Sequence, residues 1–266
     1  MVILPYRALI RMSGTDIAGF LQGIVTNDIN LLKDDSILYA LMLTPQGKML
    51  YDFFILERKD HYLIDIPAKY MYEVIKKFNM YKLQSDISID ILDNMKVVIS
   101  QSSFNDGLLS DPRCPSFSYY RGFMEEEQVE DHTDNLLNYH TERIDLKIPE
   151  LSIDFMPGER FALELNMDQL KAINYQKGCY IGQEVTARTT YRGTVRKGIY
   201  KISFKSLYEA EKILPRTEIF VGEELIGQAM QPFGINCLAI LYKEKVQEVV
   251  EKNLKLQLNS VEAFID

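Results

Sequence analysis

The first hundred residues read as short elements of changing type. Ser13-Gly-Thr-Asp16 has the make-up of a capping box, and Ile17, Phe20, Leu21 and Ile24 follow at helical spacing, which predicts a short amphipathic helix. Gly19 and Gly23 stand four apart on it and are read as a close-packing face. Two apolar runs, 36–44 and 49–57, flank Thr44-Pro-Gln-Gly-Lys48, where Pro followed two places later by Gly is turn chemistry; a β-hairpin is expected. A strand at 62–66, a helix at 68–83 and strands at 87–92 and 96–100 complete a βαββ order, half of a ferredoxin-like unit, and imply mixed α+β layers. Periodicity fades between 101 and 138, which is read as a solvated connection carrying the acidic run Glu125-Glu-Glu127. A helix at 133–143, capped by Thr133 or Asp134, comes next. Beyond residue 194 short strands with Gly turns (195–204, 218–221, 225–228, 237–242, 254–258) predict a small β-barrel, with a boundary near 192–198.

Composition sets the outer limits. The 266 residues are 47% hydrophobic and 26% charged, with 14 Gly and 9 Pro, so neither a disordered nor a collagenous chain fits. No apolar run reaches the roughly 18 to 20 residues that span a bilayer, and residues 1–7 lack a secretory pattern, which predicts a cytoplasmic protein with no membrane partner. Cys114, Cys179 and Cys237 are odd in number and never paired as Cys-x-x-Cys, against a disulfide framework or zinc ribbon and in keeping with reduced thiols. His61, His132 and His140 form no metal-binding spacing and are read as surface or loop side chains. No intrinsic metal is expected. Phosphate-loop, dinucleotide and serine-elbow motifs are absent, which lowers nucleotide-dependent and serine-hydrolase chemistry.

Charge is unevenly spread. The chain carries −8 at neutral pH, yet residues 171–201 hold seven Lys or Arg against one acid, Glu184. That island could meet a polyanion although the whole molecule repels one. Within it, Cys179 has Gly178 before it and Gly182 three places after, residues that permit tight turns or close approach. A helix beginning at Gln183 would place the thiol near a positive dipole end, which favours thiolate and bound anions. The alternative, a small buried hydrophobe, stays open on these residues alone.

Lys177-Gly-Cys-Tyr-Ile-Gly-Gln-Glu184, with Ala187-Arg188 and Tyr191-Arg-Gly193, resembles the Lys-Gly-Cys-Phe/Tyr-x-Gly-Gln-Glu motif of the YgfZ-type folate-binding proteins. Gly14, Phe20-Leu-Gln-Gly23, Thr26-Asn-Asp28, Pro45-Gln-Gly-Lys48, Arg143-Ile-Asp145 and Ile148-Pro149 extend the resemblance over nearly the whole chain. That family is similar to the T-protein of the glycine cleavage system, a tetrahydrofolate-dependent aminomethyltransferase, and includes a mitochondrial iron-sulfur assembly factor. The resemblance implies a three-part, ring-like α+β fold around a folate channel, closed by a C-terminal β-barrel. It also implies a tetrahydrofolate-type cofactor, and partners among iron-sulfur client enzymes, notably radical enzymes that modify tRNA, or the assembly machinery.

Residue by residue, the resemblance makes Cys179 the functional thiol. Lys177, Gln183, Glu184 and Arg188 share its motif, and the basic members could meet the folate's glutamate tail. Asp145 stands where T-proteins carry a glutamate, a carboxylate suited to the pterin's amino-pyrimidine edge, and Lys147 replaces their glycine. Asp52 stands at the second place of an acidic pair whose first place is Tyr51 here; on strand alternation it shares a face with Leu50 and Phe54, where burial would demand a partner. The expected parts are residues 1–100, 101–193 and 194–266. The leading expectation is a tetrahydrofolate-binding accessory protein for iron-sulfur cluster assembly or repair, with any cluster contact shared with a partner. Two others stand beside it: a folate-dependent one-carbon transferase using Asp52 and Asp145, and an RNA-binding module contacting tRNA through residues 171–201.

Overall fold

The computed structural model describes residues 1–102, 107–129 and 135–266. The hairpin forms as expected: Leu38–Leu43 pairs with Met49–Arg58, and His61–Pro67, Arg7–Ser13 and Ser88–Ile91 extend it into a five-stranded antiparallel sheet. Alternation divides its side chains between two environments. Phe53 faces the helices, against Phe78 of the helix Met71–Lys82, and Phe20 of the helix Ile17–Ile24 meets the same ring edge-on. Asp52 and Phe54 face the other way, toward the second sheet.

That second sheet corrects the reading of residues 101–138 as a solvated connection. Its order is Val2–Ile3, Met95–Ser100, Tyr120–Glu125, Leu109–Ser110, so Tyr120–Glu125 is an interior strand. The strand was hidden because its inward residue is Arg121, fully buried with its guanidinium 3.7 Å from the centre of the Phe54 ring. Val2–Ile3 and Met95–Ser100, at the two ends of the expected first part, both belong to this sheet.

Where the sheets meet, four arginines and five carboxylates are buried together. Arg7 donates to Asp52 (2.9 Å) and Asp65 (2.5 Å), and Arg121 donates to the other Asp65 oxygen (2.6 Å). Arg113 grips Asp111 through two nitrogens (2.9 and 2.8 Å) and reaches Glu150 (3.0 Å), and Arg143 pairs with Asp154 (2.7 Å). Burial alone would drive these charges neutral. For Glu150 it is outweighed by Arg113 and Arg143, which hold the carboxyl well below its usual range. At Asp65 burial wins over Arg7 and Arg121 and the carboxyl moves up.

The helix Leu136–Asp145 is capped by Asn135, whose side chain accepts from the Leu137 amide at 2.8 Å; the expected caps Thr133 and Asp134, like His132, lie outside the described residues. It ends at Lys147, left-handed at φ 56°, while Ile148 returns its amide to the Arg143 carbonyl at 2.8 Å. Lysine thus keeps a glycine-type turn. At the other end of the chain, Lys197–Phe204, Asn236–Tyr242, Glu224–Ala229, Glu218–Val221, Leu256–Leu258 and Val261–Ile265 close a six-stranded barrel. Cys237 lies in its core, while Ile199, Leu238 and Ile240 join the core of the rest of the molecule.

Two local expectations fail. Asp16 does not cap its helix; its carboxylate accepts from the Asp86 amide (2.8 Å), tying the helix start to the segment before Ser88–Ile91. Gly19 and Gly23 are exposed, with no atom within 4 Å of where a Cβ would stand, so they are not a packing face.

Removing one partner of a buried pair strands the other charge. Arg121→Leu should therefore cost about 3 to 5 kcal/mol in urea unfolding, and pairing it with Asp65→Leu should cost less than the sum of the two single changes.

Candidate functional site

Cys179 is the exposed thiol of the three; Cys114 is half-buried and Cys237 buried. The loop carrying it is fixed from three sides. Thr26 and Asn27 staple its approach: the Thr26 hydroxyl donates to the Ala172 carbonyl (2.6 Å), the Asn27 amide to the Lys171 carbonyl (2.8 Å), and the Asn174 amide to the Thr26 carbonyl (3.0 Å). Lys177 turns inward, 6% exposed, and donates to the carbonyls of Gln22 (2.8 Å), Val25 (2.6 Å) and Asn27 (2.8 Å). Gly182 then closes the loop at φ 84°, where a Cβ would stand 2.6 Å from the Thr44 carbonyl oxygen. Only glycine fits so close an approach with that backbone.

The hairpin turn and the cysteine motif are therefore one construction. Gly47, also left-handed at φ 80°, sits where a Cβ would meet Val185 at 3.3 Å, on the helix Gln183–Arg192 that begins just after Gly182. Gln183 opens that helix as expected. Glu184 and Arg188 lie one turn apart on its exposed face beside Ala187 and Tyr191.

The other expected site residues fall elsewhere. Asp52 is 2% exposed, its oxygens taken by Arg7 and, at 3.4 Å, the Tyr39 hydroxyl. Asp145 is exposed at the end of its helix and pairs with Lys201 of the barrel (2.9 Å), which also holds Asp266 (3.0 Å). Asp52 and Asp145 thus stand in separate ion-pair systems. The basic island is also smaller than its sequence: Lys177 is sequestered, Lys201 is paired, and the Lys197 ammonium sits 4.6 Å above the Tyr242 ring.

Sequence reading missed the groove over Tyr39. A hollow of about 500 Å³ is walled by Leu31, Leu38, Tyr39 and Ile173, with Asn27, Asp168, Lys171, Asn174 and Gln176 at its polar edge. A second hollow of about 680 Å³ holds Cys114, Ser116 and Ser118, and the two share Pro112 and Lys171. Lys171 sits at this junction in a left-handed conformation (φ 57°). The signal was present in Thr26-Asn-Asp28, whose partners in space could not be read from the chain.

His140 corrects another expectation, that of a surface side chain. It is buried, stacked on Phe233 at 3.9 Å, and its Nδ1 accepts from Arg143 (2.7 Å). Burial and the neighbouring Arg143 pull its pKa down to about 4.

No family model matches the chain. Over 226 residues it is 32% identical to the iron-sulfur cluster assembly factor IBA57 homolog, mitochondrial, of Mycosarcoma maydis, covering 75% of this chain and 56% of that protein. Over 289 residues it is 32% identical to the Neurospora crassa protein of the same description, covering 97% of this chain and 63% of the relative. The human iron-sulfur cluster assembly factor IBA57, mitochondrial, is 26% identical over 273 residues, 91% of this chain and 77% of its own length. A crystal structure of glycine cleavage system aminomethyltransferase T from Bartonella henselae superposes with a TM-score of 0.72 at 12% identity, over 99% of this chain and 83% of that one. Over nearly its whole length the chain is similar to IBA57 proteins, and its fold is that of the T-protein. It spans just over half to just under two thirds of the two fungal relatives.

The T-protein fold accounts for the α+β layers and the terminal barrel together. The expectation of a cytoplasmic protein is overturned, since these relatives are described as mitochondrial. Among the described residues, no helix is long and apolar enough to cross a membrane.

Two outcomes follow from the geometry. Site-resolved alkylation of the folded protein should modify Cys179 first, Cys114 more slowly and Cys237 only on unfolding, because burial pushes the Cys237 thiol up as well as shielding it. As pH falls from 6.5 toward 4 the unfolded chain protonates His140 and the fold does not, so stability is lost over that window, by up to about 3 kcal/mol. Denaturant unfolding at pH 7 and pH 4.5 should show a smaller loss for His140→Gln than for the wild type.

Proposed function

We propose that the protein is an accessory factor in iron-sulfur cluster assembly, working through the thiol of Cys179. The observation that carries this reading is that the exposed cysteine of the chain sits on a loop immobilised by Lys177 and Gly182. The assembly role named for the IBA57 relatives supports it. Among the described residues no three His, Cys, Asp or Glu side chains gather as a metal-binding group. A cluster at Cys179 is therefore cargo, held jointly with thiolates of a partner from the assembly machinery or a client enzyme. Radical tRNA-modifying enzymes are the proposed clients.

A tetrahydrofolate-type ligand belongs to the same proposal, in the groove over Tyr39. Its apolar walls suit a flat heteroaromatic ring, and Lys171 suits a glutamate carboxylate. Asp52, shielded by Arg7 and Tyr39, and Asp145, facing the barrel, take no direct part. A one-carbon transferase using those two carboxylates is correspondingly disfavoured. Direct tRNA contact would rest on Lys171, Arg188 and Arg196 and would weaken steeply with salt.

In cells lacking the native protein, Cys179→Ala should fail to restore iron-sulfur enzyme activities that the wild-type chain restores; full restoration would refute the thiol's role. In equilibrium titration, tetrahydrofolate and its 5-formyl derivative should bind wild type and Asp145→Asn alike, and Lys171→Glu about tenfold or more weakly. Absence of saturable binding would remove folate from the proposal and leave the thiol.

A further inference from the structure

The segment after the helix Ile17–Ile24 turns three main-chain carbonyls toward one point. Gln22 and Val25 end the helix, Asn27 follows, and their oxygens lie 2.6 to 2.8 Å from the Lys177 nitrogen. An ammonium on a carbon stem has three N–H bonds, and here each has its own acceptor. Helix C-terminal carbonyls also carry partial negative charge, so the socket favours a cation before any side chain is considered. The other groups facing it are few. Asp28 is the nearby acid that favours the charged form, and the Tyr180 ring lies 5.2 Å from the nitrogen.

Lys177 stands two residues before Cys179, and the stem between them has no other side-chain anchor: Gly178 has no side chain. With the ammonium seated, the start of the loop is held against the first helix and its end against Thr44 by Gly182. We propose that Lys177 is the positioning residue for the Cys179 thiol, and that the carbonyl socket it fills is a primary-ammonium site in its own right. The loop is set by a cation in this socket, and the covalent tether matters because it brings the loop along with the cation. Arginine does not serve, because a planar guanidinium fans its donors outward where three acceptors converge. The part concerning the thiol's use rests on the proposed function; the socket itself does not.

The test separates these. Lys177→Ala leaves the socket open to free amines. Amide hydrogen exchange at Asn174, Gln176 and Gln183, the loop amides with acceptors (the Thr26 carbonyl, the Asn174 side chain and the Tyr180 carbonyl), should accelerate about tenfold or more in Lys177→Ala relative to the barrel strands. n-Propylammonium at millimolar concentration should restore protection near Gln22, Val25 and Asn27, and tetramethylammonium, which has no N–H, should not. Lys177→Arg should behave like Lys177→Ala. Unchanged exchange at Asn174, Gln176 and Gln183, or equal effects of the two amines, would overturn the socket. Should Lys177→Ala fold only with n-propylammonium present, the proposal is supported; should it not fold at all, the wild-type chain decides. Burial pulls the Lys177 ammonium down to about 8, so intrinsic-rate-corrected protection of Asn174, Gln176 and Gln183 should fall as pH passes from 7 to 9 while the barrel stays protected. Flat protection would refute the proposal. Activity reads the other part: if Lys177→Arg loses loop protection but supports iron-sulfur enzymes as wild type does, positioning of the thiol is refuted while the socket stands. If Cys179→Ala is fully active, the proposed function fails, whatever the exchange shows.

Discussion

The architecture depends on a buried layer of charge between two sheets. Strand alternation sends Asp52 and Phe54 away from the helices and toward the second sheet, where Arg113 and Arg121 arrive with Asp111 and Glu150. Isolated, any of these groups would be expelled to water or neutralised. Together they are tolerable because the arginine forks place several donors on several carboxylate oxygens at once. Such a layer adds less stability than apolar packing of the same volume would, but it requires the two sheets to meet in one register, since a shift would orphan several charges. This fills the space around Asp52 with the chain's own ions, and leaves the open groove one residue outward, at Tyr39.

The thiol loop uses a different device. Its contacts are mostly to main chain: Thr26, Asn27 and Lys177 bond to carbonyls, and Gly182 lies against the Thr44 carbonyl. Main-chain contacts define where a loop runs without committing its side chains. Cys179, Glu184 and Arg188 thus remain on the surface for other uses, while the residues that hold them are buried.

Local signals in the sequence were legible where the period or the turn chemistry was strong. The hairpin around Pro45 and Gly47, the helices starting at Ile17 and Met71 and five of the six barrel strands follow from such signals. The interior strand Tyr120–Glu125 did not, because a buried arginine reads as surface until its partner, 56 residues away in the chain, is known. Asp145 was attractive by motif, yet its position depends on Lys201 in the barrel. Lys177 was visible as part of the cysteine motif, but whether it pointed to a ligand or to its own backbone was a question of three dimensions. Lys147 shows the converse: a residue unsuited to a left-handed turn adopts one because the helix end it closes is fixed by Ile148 and Arg143.

The pairing of Val2–Ile3 with Met95–Ser100 orders events during synthesis. The first sheet and its helices occupy one continuous stretch, 7–91, enclosed between those two strands of the second sheet. The first sheet can close as soon as that stretch has left the ribosome. The second sheet needs Tyr120–Glu125 as well, so Arg7, Asp52 and Asp65 spend that interval without Arg121. Until that strand emerges, two carboxylates share the one Arg7 guanidinium, and the face they form stays wetted, to be dried only when the second sheet covers it.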